Sequence, residues 1–268
     1  MLSTLKKSKK YFALVFINVK NRISFQAEII IMIMRNLLIM SIFVQLYSAT
    51  FRAAQATQFG GLNLQQILWL LIIIRMLDRG YSTVTLVNNE IKSGEITYTI
   101  NRPYSYILFH YASYWGTALP NIFIDIISNL IPAYFLIGPI HVSSSAFMIF
   151  VLVAFLGLTL EFLLQIIIGL AAFWMENTVG LRWILHKSTI ILGGLLIPIA
   201  MYPDGLQRMI QFLPFASIYY DPALLMVNFN FALFLKIVCV QILWIVILGF
   251  VALKIFRQGI KNVSINGG

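Results

Sequence analysis

Residues 146–173 read AFMIFVLVAFLGLTLEFLLQIIIGLAAF, twenty-eight residues with a single charge, Glu161. A bilayer core about 30 Å thick takes about 20 helical residues to cross. A soluble amphipathic helix would carry a charged or polar face along its whole length, and this run carries little beyond Glu161 and Gln165. It reads as a membrane span. The rest of the chain repeats the pattern, with apolar segments at about 28–50, 62–77 (extending as far as 87), 105–137, 188–202 and 231–253. The segment 188–202 is short for a full crossing. The sequence therefore predicts an all-α polytopic membrane protein with six transmembrane helices, one domain over residues 1–268. Composition agrees, at 60% hydrophobic and 10% charged with mean hydropathy +0.88, where soluble domains carry about 25% charge. A soluble enzyme, a disordered chain and a nucleic-acid-binding domain are excluded.

Charge sets the expected topology. Lys6, Lys7, Lys9 and Lys10 precede Tyr11–Ile17. Asn18, Lys20, Asn21 and Arg22 then stand where a signal peptide would place its small-residue cleavage site. Residues 5–25 therefore read as a helix lying in the cytoplasmic interface. With that end inside, fifteen of the nineteen basic residues fall on the cytoplasmic side. Arg52, Arg208 and Lys236 fall outside, and Arg35 lies within the first span. This asymmetry predicts a multi-pass protein with both termini in the cytoplasm. The net charge of +10 is thus explained without nucleic acid. The single cysteine, Cys239, excludes a disulfide framework.

Reactive chemistry is sparse. The sequence has no Gly-x-x-x-x-Gly-Lys-Ser/Thr phosphate loop, no Gly-x-Ser-x-Gly elbow and no His-Glu-x-x-His pair. His110, His141 and His186 fall on different segments, so no shared metal site is expected, and no catalytic or cofactor-binding residue is assigned. Polar groups inside spans are costly and need a reason. Arg35 can snorkel toward lipid phosphate. Asp125 lies in the third span with Ser128 and Asn129 at helical spacing. Glu161 and Gln165 are four apart and share a face of the fourth span. These groups read as interhelical hydrogen-bonding glue or as the lining of a pathway. Gly193-Gly194 followed by Pro198 permits close helix approach and a local break.

Two hydrophilic stretches interrupt the spans. Residues 88–104 form a cytoplasmic loop of mixed charge. Residues 203–230 are too broken by proline for one span and too apolar for a free loop. They predict two short helices, at about 204–212 and 216–227, dipping into the outer leaflet and turning back.

Three stretches give the chain its resemblance to known proteins. They are Ile91-Lys92-Ser93-Gly94-Glu95-Ile96 running on to Asn101-Arg102-Pro103; Phe173-Trp174 with Gly180-Leu181-Arg182-Trp183; and Leu196-Ile197-Pro198, Tyr202-Pro203, Phe212-Leu213-Pro214-Phe215-Ala216 and Tyr219-Tyr220-Asp221-Pro222. In this order they resemble the permease subunits of bacterial ABC exporters of the second type, over nearly the whole chain. The resemblance implies a bacterial inner-membrane subunit that pairs with a second permease, identical or homologous. It implies two separate ATPase subunits below, which would bind the ATP and Mg. This chain itself would carry no cofactor. The loop 88–104 would then be the coupling element, through Glu90, Ile91, Lys92, Gly94, Glu95, Ile96 and Arg102, with Ile91 and Ile96 entering a groove on the ATPase. The segment 203–230 would be an outer gate involving Pro214, Phe215, Tyr219 and Tyr220. The competing readings are a membrane-embedded lipid-modifying enzyme and a non-transporting assembly protein. The first would need convergent His, Asp, Glu or Ser groups at one depth, which the sequence does not offer.

Overall fold

The computed structural model describes residues 13, 15–19, 26–78, 80, 82–140 and 142–266. Most of the expected interfacial helix at 5–25, and His141, therefore lie outside the described residues. Residues 15–19 are helical, and Asn18 donates from Nδ2 to Ser113 Oγ at 3.3 Å.

The described residues form helices, with a single isolated bridge between Phe59 and Leu62. In chain order they are α1 (Gln26–Ala53), α2 (Leu64–Leu77), α3 (Ser82–Lys92), α4 (Ile96–Ile100), α5 (Tyr106–Leu136), α6 (Ser144–Leu170), α7 (Val179–Leu192), α8 (Asp204–Ile210), α9 (Pro214–Ile218), α10 (Tyr220–Val227) and α11 (Phe231–Asn266). Single 3-10 turns follow α6 at Ala171–Phe173 and α7 at Ile199–Met201. Among them, four helical stretches are long and apolar enough to cross a membrane: Ile30–Ala53, Tyr106–Leu136, Ser144–Phe173 and Phe231–Lys261. Their outward side chains are apolar and exposed, such as Ile31, Phe123, Met148 and Phe250. In water such a surface would be a liability; in a bilayer it is the ordinary lipid face.

The other two expected spans take a different form. The apolar run at 62–87 is not one helix. α2 has 14 residues, about 21 Å at 1.5 Å per residue, and α3 begins anew at Ser82. The reason lies in the intervening Asp78 and Gly80, the latter at φ +71°, a conformation that ends a right-handed helix. The segment expected at 188–202 starts earlier, at Val179, and stops at Leu192. Gly193 and Gly194 end it, as the sequence suggests. Gly194 has φ +71°, and a side chain there would meet the Tyr220 ring at 3.0 Å.

The helices fall into two halves. α1, α2 and α5 pack together, and α6 packs against both α3 and α11. The break between α2 and α3 is where the chain passes from one half to the other. α10 closes the seam by packing on α2 and α6 at once. Between lipid-facing helices burial adds little driving force, so close packing and hydrogen bonds hold the halves together. Gly157 of α6 shows how close: a Cβ there would stand 2.7 Å from the Ile218 carbonyl oxygen at the end of α9.

The expected helical pair at 203–230 is three short helices, α8, α9 and α10. Pro214 is the first residue of α9, and Leu213 before it is extended at φ −85°, ψ 151°, as the proline ring demands. Tyr219, at φ −124°, ψ −55°, then interrupts the second expected helix. α9 and α10 are buried within the bundle, with Ala216, Ser217, Ile218, Tyr219 and Ala223 almost wholly covered. α8 leaves Met209 exposed, with Phe212 just beyond its end.

Candidate functional site

At one end of the bundle, α3 and α4 meet at a tight turn. Gly94 sits there at φ +77°, a left-handed conformation that suits glycine. Ile96 of α4 is fully buried in the chain's own core, and Ile91 and Ile100 pack half-buried against the same core. These isoleucines fix α4 to this chain, where the sequence reading had two of them entering a partner's groove. The opposite face of the element is exposed and carries Lys92, Glu95, Thr97 and Tyr98, with Arg102 just after it. Tyr98 is 75% exposed.

Glu90 points inward from α3. It accepts a hydrogen bond from the Tyr106 hydroxyl at 2.8 Å and lies 3.1 Å from His110 Nε2, both on α5. Burial pushes its carboxyl pKa up, but the hydrogen bonds and charge of His110, the Tyr106 hydroxyl and the charge of Arg102 outweigh it, and the net shift is downward. Tyr106 in turn stacks on Phe256 of α11, centroids 5.0 Å apart. Thr178, just before α7, donates to Asn88 Oδ1 at 2.8 Å, and Arg102 donates to the Tyr104 hydroxyl at 2.9 Å. The α3–α4 element is thus pinned to α5, α7 and α11 while one face stays free.

Deeper in the bundle, Glu161 and Gln165 of α6 do share a face, and the structure shows what that face holds. Gln165 Nε2 donates to the Gly80 carbonyl at 2.6 Å and to Glu161 Oε1 at 3.1 Å, while its Oε1 accepts from the Thr83 amide at 3.3 Å. Glu161 Oε2 accepts from the Tyr114 hydroxyl at 2.9 Å. Backbone groups stranded in an apolar interior need partners, and the α2–α3 break finds them on α6. Asp125 makes a second cluster, between α1 and α5. Its Oδ1 accepts from Asn36 Nδ2 at 2.7 Å, and the same nitrogen reaches Ser128 Oγ at 2.9 Å. Arg35 donates to Asn36 Oδ1 at 3.2 Å. All three carboxamide and carboxylate groups, Asp125, Glu161 and Gln165, act here as interhelical fasteners.

At the end away from α4, a cavity of about 200 Å³ lies under α8, lined among others by Gln207, Gln211, Tyr220, Asp221, Asn228 and Lys236. Ser217 donates to Asp221 Oδ2 at 3.1 Å, Lys236 to Gln211 Oε1 at 2.8 Å, and the Ala200 amide to the Tyr220 hydroxyl at 3.2 Å. Of the expected gate residues, Pro214, Tyr219 and Tyr220 are buried and Phe215 is half-buried.

Sequence reasoning missed five participants. Tyr106, His110 and Tyr114 recur every four residues and mark one polar face of α5, a signal that was present. Asn36 beside Arg35 was a second polar residue in an apolar run. Gln241 of α11, whose Nε2 donates to the carbonyls of Val153 and Ser217 at 3.0 and 2.7 Å, stood alone in its span in the same way. Among the described residues no group of three His, Cys, Asp or Glu comes close enough to hold a metal ion.

Residues 30–267 match the model of a protein family described as ABC-2 family transporter protein. No curated protein matches the chain significantly.

Proposed function

Because the chain belongs to the ABC-2 family of transporter proteins, we propose that it is the membrane permease subunit of an ATP-driven exporter, paired with a second permease and powered by two separate ATP-binding-cassette subunits. The chain crosses the inner membrane six times in this reading. α2 with α3 as far as Val87, and α7 with the turns after it, supply the two crossings that no single helix makes. Both termini and α4 face the cytoplasm, from the asymmetry of the basic residues.

The observation that carries the proposal is the α3–α4 element. Its buried isoleucines and the Glu90–Tyr106–His110 cluster hold it firmly, yet Glu95 and Tyr98 stand free on the outer face. A rigid element with an exposed aromatic and mixed charge is suited to docking an energy-supplying partner. On the other side, α8 covers the 200 Å³ cavity and the buried α9–α10 pair forms its floor, together the outer gate in this reading.

The chain purified from native membranes in a mild detergent is expected to bring an ATP-binding-cassette ATPase with it, in a complex holding two copies of each kind of subunit. Recovery of the folded chain with no ATPase under conditions that preserve membrane complexes would overturn the reading.

A further inference from the structure

Arg182, Trp183 and His186 of α7, with Ser82 and Thr85 of α3, line an open groove of about 400 Å³. A second depression beside it, of about 450 Å³, is lined by Trp183, Ile184, Lys187, Ser188, Ile191 and Leu192. The two share Trp183, so the surface runs without interruption from polar to apolar. Arg182 donates from Nη1 to Thr85 Oγ1 at 3.0 Å, and Lys187 Nζ lies 5.5 Å from the centre of the Trp183 ring. Among the described residues neither cation has a carboxylate within ion-pair distance. A guanidinium and an ammonium facing lipid without counter-charge are unfavourable, so the surface calls for an anion.

We propose that this surface binds an anionic phospholipid of the cytoplasmic leaflet. Its phosphate sits against Arg182, Lys187, Ser82 and Thr85, and its chains lie along Ile184, Ile191 and Leu192. Three observations favour a lipid over a free anion. The groove opens toward the bundle's surface, where Ile184 is 65% and Ile191 53% exposed. Trp183 lies between the polar and apolar parts, as an indole does at a membrane interface. The depth is right as well: Thr178, just before α7, bonds Asn88 near the end of α3, while Gln165 of α6 holds Thr83 at the start of α3, inside the bundle. Arginine has donors to spare for a bidentate grip on phosphate. A lipid held there straps α3 to α7 beside the break that separates α3 from α2. The inference rests on the orientation proposed above, and not on the ATPase partnership.

The test uses the full chain in nanodiscs of phosphatidylcholine alone, of phosphatidylcholine with phosphatidylglycerol, and of phosphatidylcholine with inorganic phosphate in the buffer. Phosphatidylglycerol is expected to raise the melting temperature, and inorganic phosphate is not. Arg182→Gln with Lys187→Gln should lose that rise while melting as wild type does in phosphatidylcholine. Each charge removed should weaken phosphatidylglycerol retention, read by native mass spectrometry, about fivefold. Arg182→Lys alone should keep more of it than Arg182→Gln alone, which guards against a variant that merely folds badly. ATPase co-purification, measured on the same samples, should be unaffected. An equal rise from inorganic phosphate would make the site one for free anions and overturn the proposal. A double variant that keeps the full rise would do the same, as would one whose only change is weaker association between permease copies.

Discussion

Gln165 serves a helix to which it does not belong. Its amide satisfies Gly80 O and the Thr83 amide at the start of α3, so Gln165→Leu leaves both stranded in an apolar interior. Loss of a buried partner costs about 1–3 kcal/mol, and unfolding of the variant in detergent micelles should show a loss of that size. A change under about 0.5 kcal/mol would mean that the break finds other partners. Glu90 gives a pH-dependent counterpart at the membrane surface. Its carboxyl titrates below its ordinary value in the folded protein. Its ionised form therefore adds stability at neutral pH, and that contribution fades as pH falls through the depressed value. Wild type should be more stable than Glu90→Gln at pH 7, with the gap closing toward pH 3. A gap that stays constant with pH would deny the ionic contribution. At this scale the sequence was half legible. The spacing of Glu161 and Gln165 gave their shared face, but their partners are Tyr114 of α5 and the break between α2 and α3, and nothing at 161–165 encodes that.

Among elements, α4 separates two effects that the sequence had merged. Ile96→Asp puts a charge into the core and should abolish a cooperative melt, because an unpaired buried charge costs several kcal/mol. Glu95→Arg and Tyr98→Ala lie on the exposed face and should melt as wild type does. Under the proposed function they weaken ATPase co-purification about tenfold or more, as loss of an interface anchor worth about 1.5–2 kcal/mol does. Retention of the ATPase by both would move the docking surface elsewhere. Gly157→Val tests the seam. The added Cβ collides with the Ile218 and Ser217 carbonyls, and overpacking of this kind costs about 1–3 kcal/mol. Element boundaries were legible where a glycine or proline dictates them, at Gly194 and Pro214. They were not where long-range packing decides. The bond of Thr178 to Asn88 helps place the start of α7 nine residues before the expected span.

For the molecule as a whole, the composition gave the membrane class and the basic residues gave an orientation. A reporter active only outside the membrane, fused after Gly268, should stay silent; a signal from it would reverse the proposed topology. The two-half architecture was invisible, because hydropathy averages over windows longer than the four residues that part α2 from α3. That parting has a mechanical consequence. A continuous helix transmits a push along its axis through its ladder of backbone hydrogen bonds, and a ladder with missing rungs does not. Under the proposed function, a load placed on α4 would travel the roughly 16 Å of α3 and then turn sideways, through Gln165, into α6. That helix carries it to Gly157, hard against the carbonyls of α9. On that reading the push would arrive at α9 from the middle of α6, turned through an angle as a bell crank turns it.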